Sequence, residues 1–251
     1  MPHLFVNRHR HYDFTAAEPD LRRTVWWETL NAYAYKLGGL VFIVGSIMFF
    51  PALDDYADLG AYTFLLGSLI YLVVTGHDML EVIHHARRKK QSSAAWDRLE
   101  FWAATSYVGG TVLFTVGSVF FLHRVGLEEL GAWCFVIGSL LFVAGAAVNV
   151  VQIVKAQGVV TMQLMNLTAV TFVTGAVLFT VASIPYLWRI ENEADQTLVY
   201  RFLAAQYLVG SVLFLAGGVF NYRRARIVID RQIREARGES GDGRGTNPRA
   251  A

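Results

Sequence analysis

The residues best suited to chemistry lie at the end of the second apolar segment of the chain. His77, Glu81 and His85 are spaced four residues apart, so a helix would place them along one side. Imidazole and carboxylate groups bind transition metals, whereas the same spacing also makes ordinary ion pairs. The basic run 87–90 follows directly and would repel a cation. A metal or haem site and a cluster of ion pairs are therefore both open hypotheses.

A second polar set recurs at one position in three apolar segments. Asp78, Asn149 and Asn221 each lie eleven residues beyond a glycine that precedes a serine. If the segments surround an axis, these side chains form a polar ring at one depth. The ring can be interpreted as hydrated caps near helix ends or as an ion site. Glu28 and Glu100, at matching places before two apolar segments, are interpreted as acids at helix N-termini.

The segments that must position these residues are long and apolar. Hydrophobic residues make up 54% of the 251-residue chain, and charges gather in short stretches between apolar ones, as is typical of a bilayer protein. A hydrocarbon core about 30 Å thick requires roughly 20 apolar residues in a helix. Six segments approach or meet that length and predict six transmembrane helices: 37–52, 59–75, 101–122, 130–151, 164–187 and 202–220.

The charges between these segments predict their orientation. Alternate connections are basic, as in the run 87–90 and in the tail after residue 222, whereas the others contain acids such as Asp54, Asp58 and Glu128. Basic loops stay on the cytoplasmic side, so both termini are predicted to be cytoplasmic. Basic residues beside apolar spans are explained by topology and anionic lipid headgroups, and no nucleic-acid partner is expected.

Small residues recur in the same pattern in three consecutive pairs of segments. The first segment of each pair has a glycine followed seven residues later by a Gly-Ser or Ala-Ser step, and the second has a Gly-Ser step. Helices in lipid associate through such small residues, so the sequence predicts three packed helical hairpins. The predicted helix-packing residues are Gly38, Gly45, Ser46, Gly67, Ser68, Gly110, Gly117, Ser118, Gly138, Ser139, Gly175, Ser183, Gly210 and Ser211.

The middle hairpin, 96–154, resembles the YrhK-like domain. The resemblance lies in the pattern G-x3-F-x2-G-S from residue 110 and G-A-W-C-F-x2-G-S from residue 131. It implies a small bacterial two-helix membrane module with no established activity, located in the inner membrane. The outer hairpins look like more divergent copies; in the third, Ala182 replaces a glycine and Pro185 lies near the helix end. A weaker likeness is to the HdeD-like membrane proteins.

The patterns together define a predicted domain organisation. The fold class is all-α integral membrane, with six transmembrane helices arranged as three repeated hairpins. The predicted parts are a cytoplasmic arm 1–33, hairpin 34–86, a basic cytoplasmic loop 87–98, hairpin 99–156, hairpin 162–222 and a charged cytoplasmic tail 223–251 whose end is disordered.

The function predicted from these features is a non-catalytic structural or assembly module of the membrane. The chain shows no nucleotide-binding glycine loop, nucleophile triad or cysteine metal motif, so neither an enzyme nor a bound cofactor is expected. The alternatives are a transporter or channel for a small solute or ion, since transporters are commonly built from repeats, and a metal- or haem-binding membrane protein. The expected partners are the lipid bilayer and other membrane proteins or a second copy of the chain.

Overall fold

Six long helices make up the computed structural model, which describes residues 21–88, 94–156, 158–188 and 190–236. Each of them contains a stretch long and apolar enough to cross a membrane, and the described residues contain no strand. The predicted all-helical fold with six apolar helices is confirmed. The helices are α1 (Leu21–Met48), α2 (Ala57–Arg88), α3 (Ala94–Phe120), α4 (Glu128–Gln152), α5 (Val159–Ser183) and α6 (Glu193–Ala236), with short 3-10 helices at Pro51–Tyr56, Ile153–Lys155 and Ile184–Leu187.

The helices extend beyond the apolar segments that predict them. α1 already includes residues 21–33 of the predicted arm, and α6 continues through residues 223–236 of the predicted tail. Hydropathy falls where polar residues begin, although the backbone remains helical, so the ends of the helices do not coincide with the ends of the apolar segments. Residues 1–20 of the arm, 89–93 of the basic loop and 237–251 of the tail lie outside the described residues.

The six helices form a closed ring. Each helix packs against its neighbours in sequence, and α1 also packs against α6. Because consecutive helices run antiparallel, α1 begins and α6 ends at the same end of the bundle. The described part of the basic segments lies at this end, and we call it the basic end. The opposite end, which holds the α1–α2, α3–α4 and α5–α6 connections, is called the acidic end.

Aromatic rings fill the axis of this ring of helices in two triangular layers. In the layer contributed by the first helix of each hairpin, the ring centroids are 5.6, 6.4 and 6.5 Å apart. In the layer contributed by the second helices, nearer the acidic end, they are 6.0, 6.1 and 6.4 Å apart. All six residues are buried. The first layer consists of Phe42, Phe114 and Phe179, and the second of Phe64, Phe135 and Tyr207.

The predicted packing glycines lie where these rings meet the neighbouring backbone. A methyl group added at Gly110 would lie 2.5 Å from Cε1 of Phe142 and 2.8 Å from the carbonyl oxygen of Gly138. The third hairpin repeats the arrangement with Gly175 against Phe214. A ring and a backbone carbonyl cannot move aside as a flexible chain end can, so a close-packed interior has no room for the added methyl.

Neighbouring glycines in α3 allow a direct test of this packing. We expect Gly110→Ala to destabilise the protein by about 1–3 kcal/mol, the usual cost of overpacking. We expect Gly109→Ala to be neutral or stabilising by up to about 1 kcal/mol, because its methyl would meet only Cδ1 of Leu141, at 3.4 Å. Thermal unfolding of the purified protein in detergent measures both, and equal effects would contradict the packing role.

Candidate functional site

The three residues of the predicted polar ring lie inside the bundle, toward the basic end. Asp78, Asn149 and Asn221 are 2%, 1% and 4% exposed. Each follows an aromatic core residue by two helical turns, so the polar layer continues the face that carries the aromatic layers. Their burial contradicts the interpretation as hydrated helix caps, because none of the three side chains is open to solvent. Two of them also lie well inside their helices, since α2 runs on to Arg88 and α6 to Ala236, whereas Asn149 lies in the last turn of α4.

Tyr107 connects two members of this polar layer. The Asn149 amide nitrogen Nδ2 donates a hydrogen bond of 2.7 Å to the Tyr107 hydroxyl, and Tyr107 also interacts electrostatically with Asp78. The other amide atom, Asn149 Oδ1, is buried and has no hydrogen-bond partner among the described residues. The layer therefore has spare acceptor capacity beside a carboxylate.

The third member is engaged by a buried arginine. Arg224 Nε donates a hydrogen bond of 3.1 Å to Oδ1 of Asn221, and the arginine is only 4% exposed. A guanidinium group buried in this way needs polar partners, because an isolated buried charge is costly. Its position within α6 shows that it is part of the bundle interior and not a charge of a free tail.

Two further carboxylates are buried near the polar layer. Glu28 is 6% exposed and Glu81 is fully buried. In the antiparallel pair α1–α2, Gly45 packs on Phe64. If the same register continues toward the basic end, Glu28 of α1 lies opposite Glu81 of α2. Glu28 lies two turns inside α1, so its interpretation as a helix N-terminal acid is wrong, because that effect is confined to the first turn. The same interpretation is wrong for Glu100, because it lies in the second turn of α3.

The metal-site hypothesis for His77, Glu81 and His85 does not fit the geometry. Glu81 faces the interior, whereas both histidines are partly exposed. Residues four apart drift by about 40° around a helix, and the two histidines, eight apart, are separated by about 12 Å along it. Among the residues that the structure describes, no three His, Cys, Asp or Glu side chains are arranged to hold a metal ion.

The predicted packing serines lie on the same helix faces as the glycines. Ser46, Ser118 and Ser183 each donate a hydrogen bond of 2.7–2.8 Å to the carbonyl oxygen four residues earlier. The Ser46 hydroxyl also lies 3.1 Å from that of Ser211 and so joins α1 to α6. The hydroxyls of Ser68 and Ser139 are buried and have no hydrogen-bond partner in the described part of the chain.

Sequence reasoning did not identify Arg224 as part of the site. Arg224 was assigned to the charged tail, although the repeat indicates its depth in the bundle. Glu81, Gln152 and Arg224 each lie fourteen residues beyond the glycine that starts the Gly-Ser step of their helix. Extending the repeat alignment by three residues beyond the polar ring would have placed this arginine at the depth of Glu81.

The fold and the site define an all-helical protein of six potential membrane-spanning helices, built as three hairpins around an aromatic axis. The model of the family described as YrhK-like protein matches residues 26–83 and 97–154. The first two hairpins are therefore two tandem matches to the YrhK-like family, which confirms the resemblance to that family for these two copies. The matched ranges do not include the third hairpin, and the likeness to HdeD-like proteins stays a prediction. No curated protein and no solved structure matches the chain.

The Tyr107–Asn149 hydrogen bond can be measured by a double-mutant cycle. We expect Tyr107→Phe and Asn149→Leu each to destabilise the protein by about 1–3 kcal/mol, because each leaves a buried polar group without its partner. The double variant should then cost clearly less than the sum of the two single changes. Additive losses in thermal or denaturant unfolding would show that the two groups do not act as a pair.

Proposed function

We propose that this chain is a non-catalytic structural or assembly module of the bacterial inner membrane. The observation that carries the proposal is the filled axis. A conduit needs a gap or polar groups through its middle, whereas here aromatic rings from all three hairpins occupy that position. The cavity between the rings that Phe42, Phe114 and Phe142 help to line is about 10 Å³, which is no more than one water molecule requires.

The outer surface of the bundle supports insertion into a bilayer. Between its ends the exposed side chains are mainly Leu, Val and Ile. Exposed Trp102 lies near the basic end and exposed Trp133 near the acidic end, as in the aromatic belts of membrane proteins. The α3–α4 register puts Trp133 level with Val119, so the two tryptophans are separated by about 26 Å along the bundle. This separation is close to the hydrocarbon thickness of a bilayer.

The proposed orientation, with both termini cytoplasmic, can be tested because Cys134 is the only cysteine. In a Cys134→Ser background, we expect Asp55→Cys to react with a membrane-impermeant maleimide in intact spheroplasts. We expect Arg234→Cys to react only after lysis, because it lies at the basic end. Both positions are exposed. The reverse labelling pattern would contradict the orientation, and the unsubstituted Cys134→Ser protein gives the background.

Transport is the second candidate function, and one observation favours it. Asp78 and Glu81 are ionisable groups buried among transmembrane helices, and such groups commonly mark ion pathways. The proposed module should show no flux of potassium, protons or glycerol above that of empty liposomes. Flux that is present in the reconstituted protein and abolished by Asp78→Asn would contradict the structural module and favour a transporter.

The proposed partners are lipids and other membrane proteins or a second copy of the chain. The surface between the two ends is mainly apolar, and the packing glycines face the neighbouring helices inside the bundle. A partner would therefore contact the apolar outer faces of the helices and not the glycines. The mass of the protein in its detergent complex, measured by light scattering, distinguishes a single chain from an assembly of copies.

A further inference from the structure

A cavity of about 120 Å³ opens at the acidic end of the bundle axis. Its floor is formed by Phe135 and Tyr207, two members of the aromatic layer nearest that end. Its walls include Phe121, Tyr186 and Tyr200, and the first hairpin contributes Phe49 and Phe50. All three hairpins therefore contribute to it. The space is about ten times that required by one water molecule, which is enough for a small organic ligand.

The aromatic walls of this cavity support one another. Phe121 stacks on Phe135 with centroids 5.0 Å apart and meets Tyr186 edge-on at 5.3 Å. Tyr186 in turn stacks on Tyr200 at 5.1 Å. Because each ring is held by another, the shape of the cavity is largely formed before a ligand enters, which lowers the entropic cost of binding.

Carboxylates surround the mouth of the same cavity. Asp54, Asp58 and Glu128 line it, together with His123, and among the described residues no Lys or Arg does. The backbone N–H of His123 donates a hydrogen bond of 2.8 Å to Oδ1 of Asp58. This bond ties the first turn of α2 to the α3–α4 connection and fixes one carboxylate at the mouth.

We propose that this cavity binds a small organic ammonium cation, of the quaternary or tertiary type. Such cations are attracted to the faces of aromatic rings, and the carboxylates at the mouth add electrostatic attraction at longer range. A divalent metal ion is a poor fit, because rings cannot replace its water ligands and the described residues offer no set of three suitable side chains. This binding site is independent of the structural role proposed above and requires no passage across the membrane.

The probe for this site is tetramethylammonium chloride, titrated calorimetrically into the purified full-length chain in a neutral detergent. tert-Butanol serves as a neutral molecule of similar shape, and sodium chloride keeps the ionic strength constant. We expect saturable binding of tetramethylammonium and none of tert-butanol. No saturable tetramethylammonium binding, or equal binding of the two molecules, would overturn the proposal.

Adjacent acidic residues supply a matched control for the charge. Asp54 and Glu128 line the cavity, whereas their exposed neighbours Asp55 and Glu129 do not. We expect Asp54→Asn/Glu128→Gln to weaken tetramethylammonium binding about tenfold and Asp55→Asn/Glu129→Gln to change it less than twofold. Equal weakening by both pairs would mean that only the general surface charge attracts the cation, and the site would be rejected.

The aromatic contribution is tested at Tyr200, with Tyr56 as the control. Tyr56 is 54% exposed at the same end and does not line the cavity. We expect Tyr200→Leu to weaken binding about tenfold, as loss of a ring contact to a cation would, and Tyr56→Leu to leave it unchanged. Tyr200→Phe keeps the ring and should retain binding within about threefold. A phenylalanine variant as weak as the leucine variant, or a leucine variant that binds normally, would contradict the ring contact.

Discussion

The contact between an aromatic ring and a backbone that lacks a side chain is the constraint on which this bundle depends. In a bilayer, apolar side chains gain little by leaving lipid, so helices associate where they pack more closely than lipid can. The contact is reciprocal: Gly110 faces Phe142, and Gly138 faces Phe114. In each helix the two contacts lie four residues apart, about one helical turn, and together they define the register of the hairpin. Three hairpins with one register bring rings of equal depth to one axis, and the aromatic layers follow.

The third hairpin closes the ring of helices although its sequence departs from the repeat at several positions. Where the other copies have a phenylalanine, α6 has Tyr207, whose hydroxyl lies 2.8 Å from that of Ser183 and so gives the hairpin a polar contact. α6 must also accommodate α1, and Gly218 accepts the ring of Tyr35, whose hydroxyl bonds to the Phe214 carbonyl. At the junction that closes the ring, α6 thus contacts α1 through both the ring and the hydroxyl of Tyr35.

The repeat made the hairpins and the equal depth of the polar positions predictable from the sequence. It could not predict that α1 packs against α6, because that contact joins helices far apart in the chain and leaves no local pattern. It also misjudged the basic end. Hydropathy treats Glu81 and Arg224 as the end of a span, yet burial depends on which helix face they occupy. Part of the acidic-end cavity did follow the repeat, since Phe49, Phe121 and Tyr186 each lie four residues beyond the small residue of the Gly-Ser or Ala-Ser step in their hairpin. The cavity was missed because the carboxylates that complete it, Asp54, Asp58 and Glu128, come from connections and helix ends and share no such spacing.

The two polar regions of the bundle are separated by its aromatic layers. Tyr207 in the floor of the cavity and Asn221 in the polar layer are fourteen residues apart in one helix, or about 21 Å. Two unit charges at that distance interact by only about 0.8 kcal/mol at an effective dielectric constant of 20. A cation in the cavity would therefore perturb the buried acids little through its field. Because the rings between the two regions leave a cavity of only about 10 Å³, coupling between the two ends would require the helices themselves to shift, against the glycine–ring contacts that hold them.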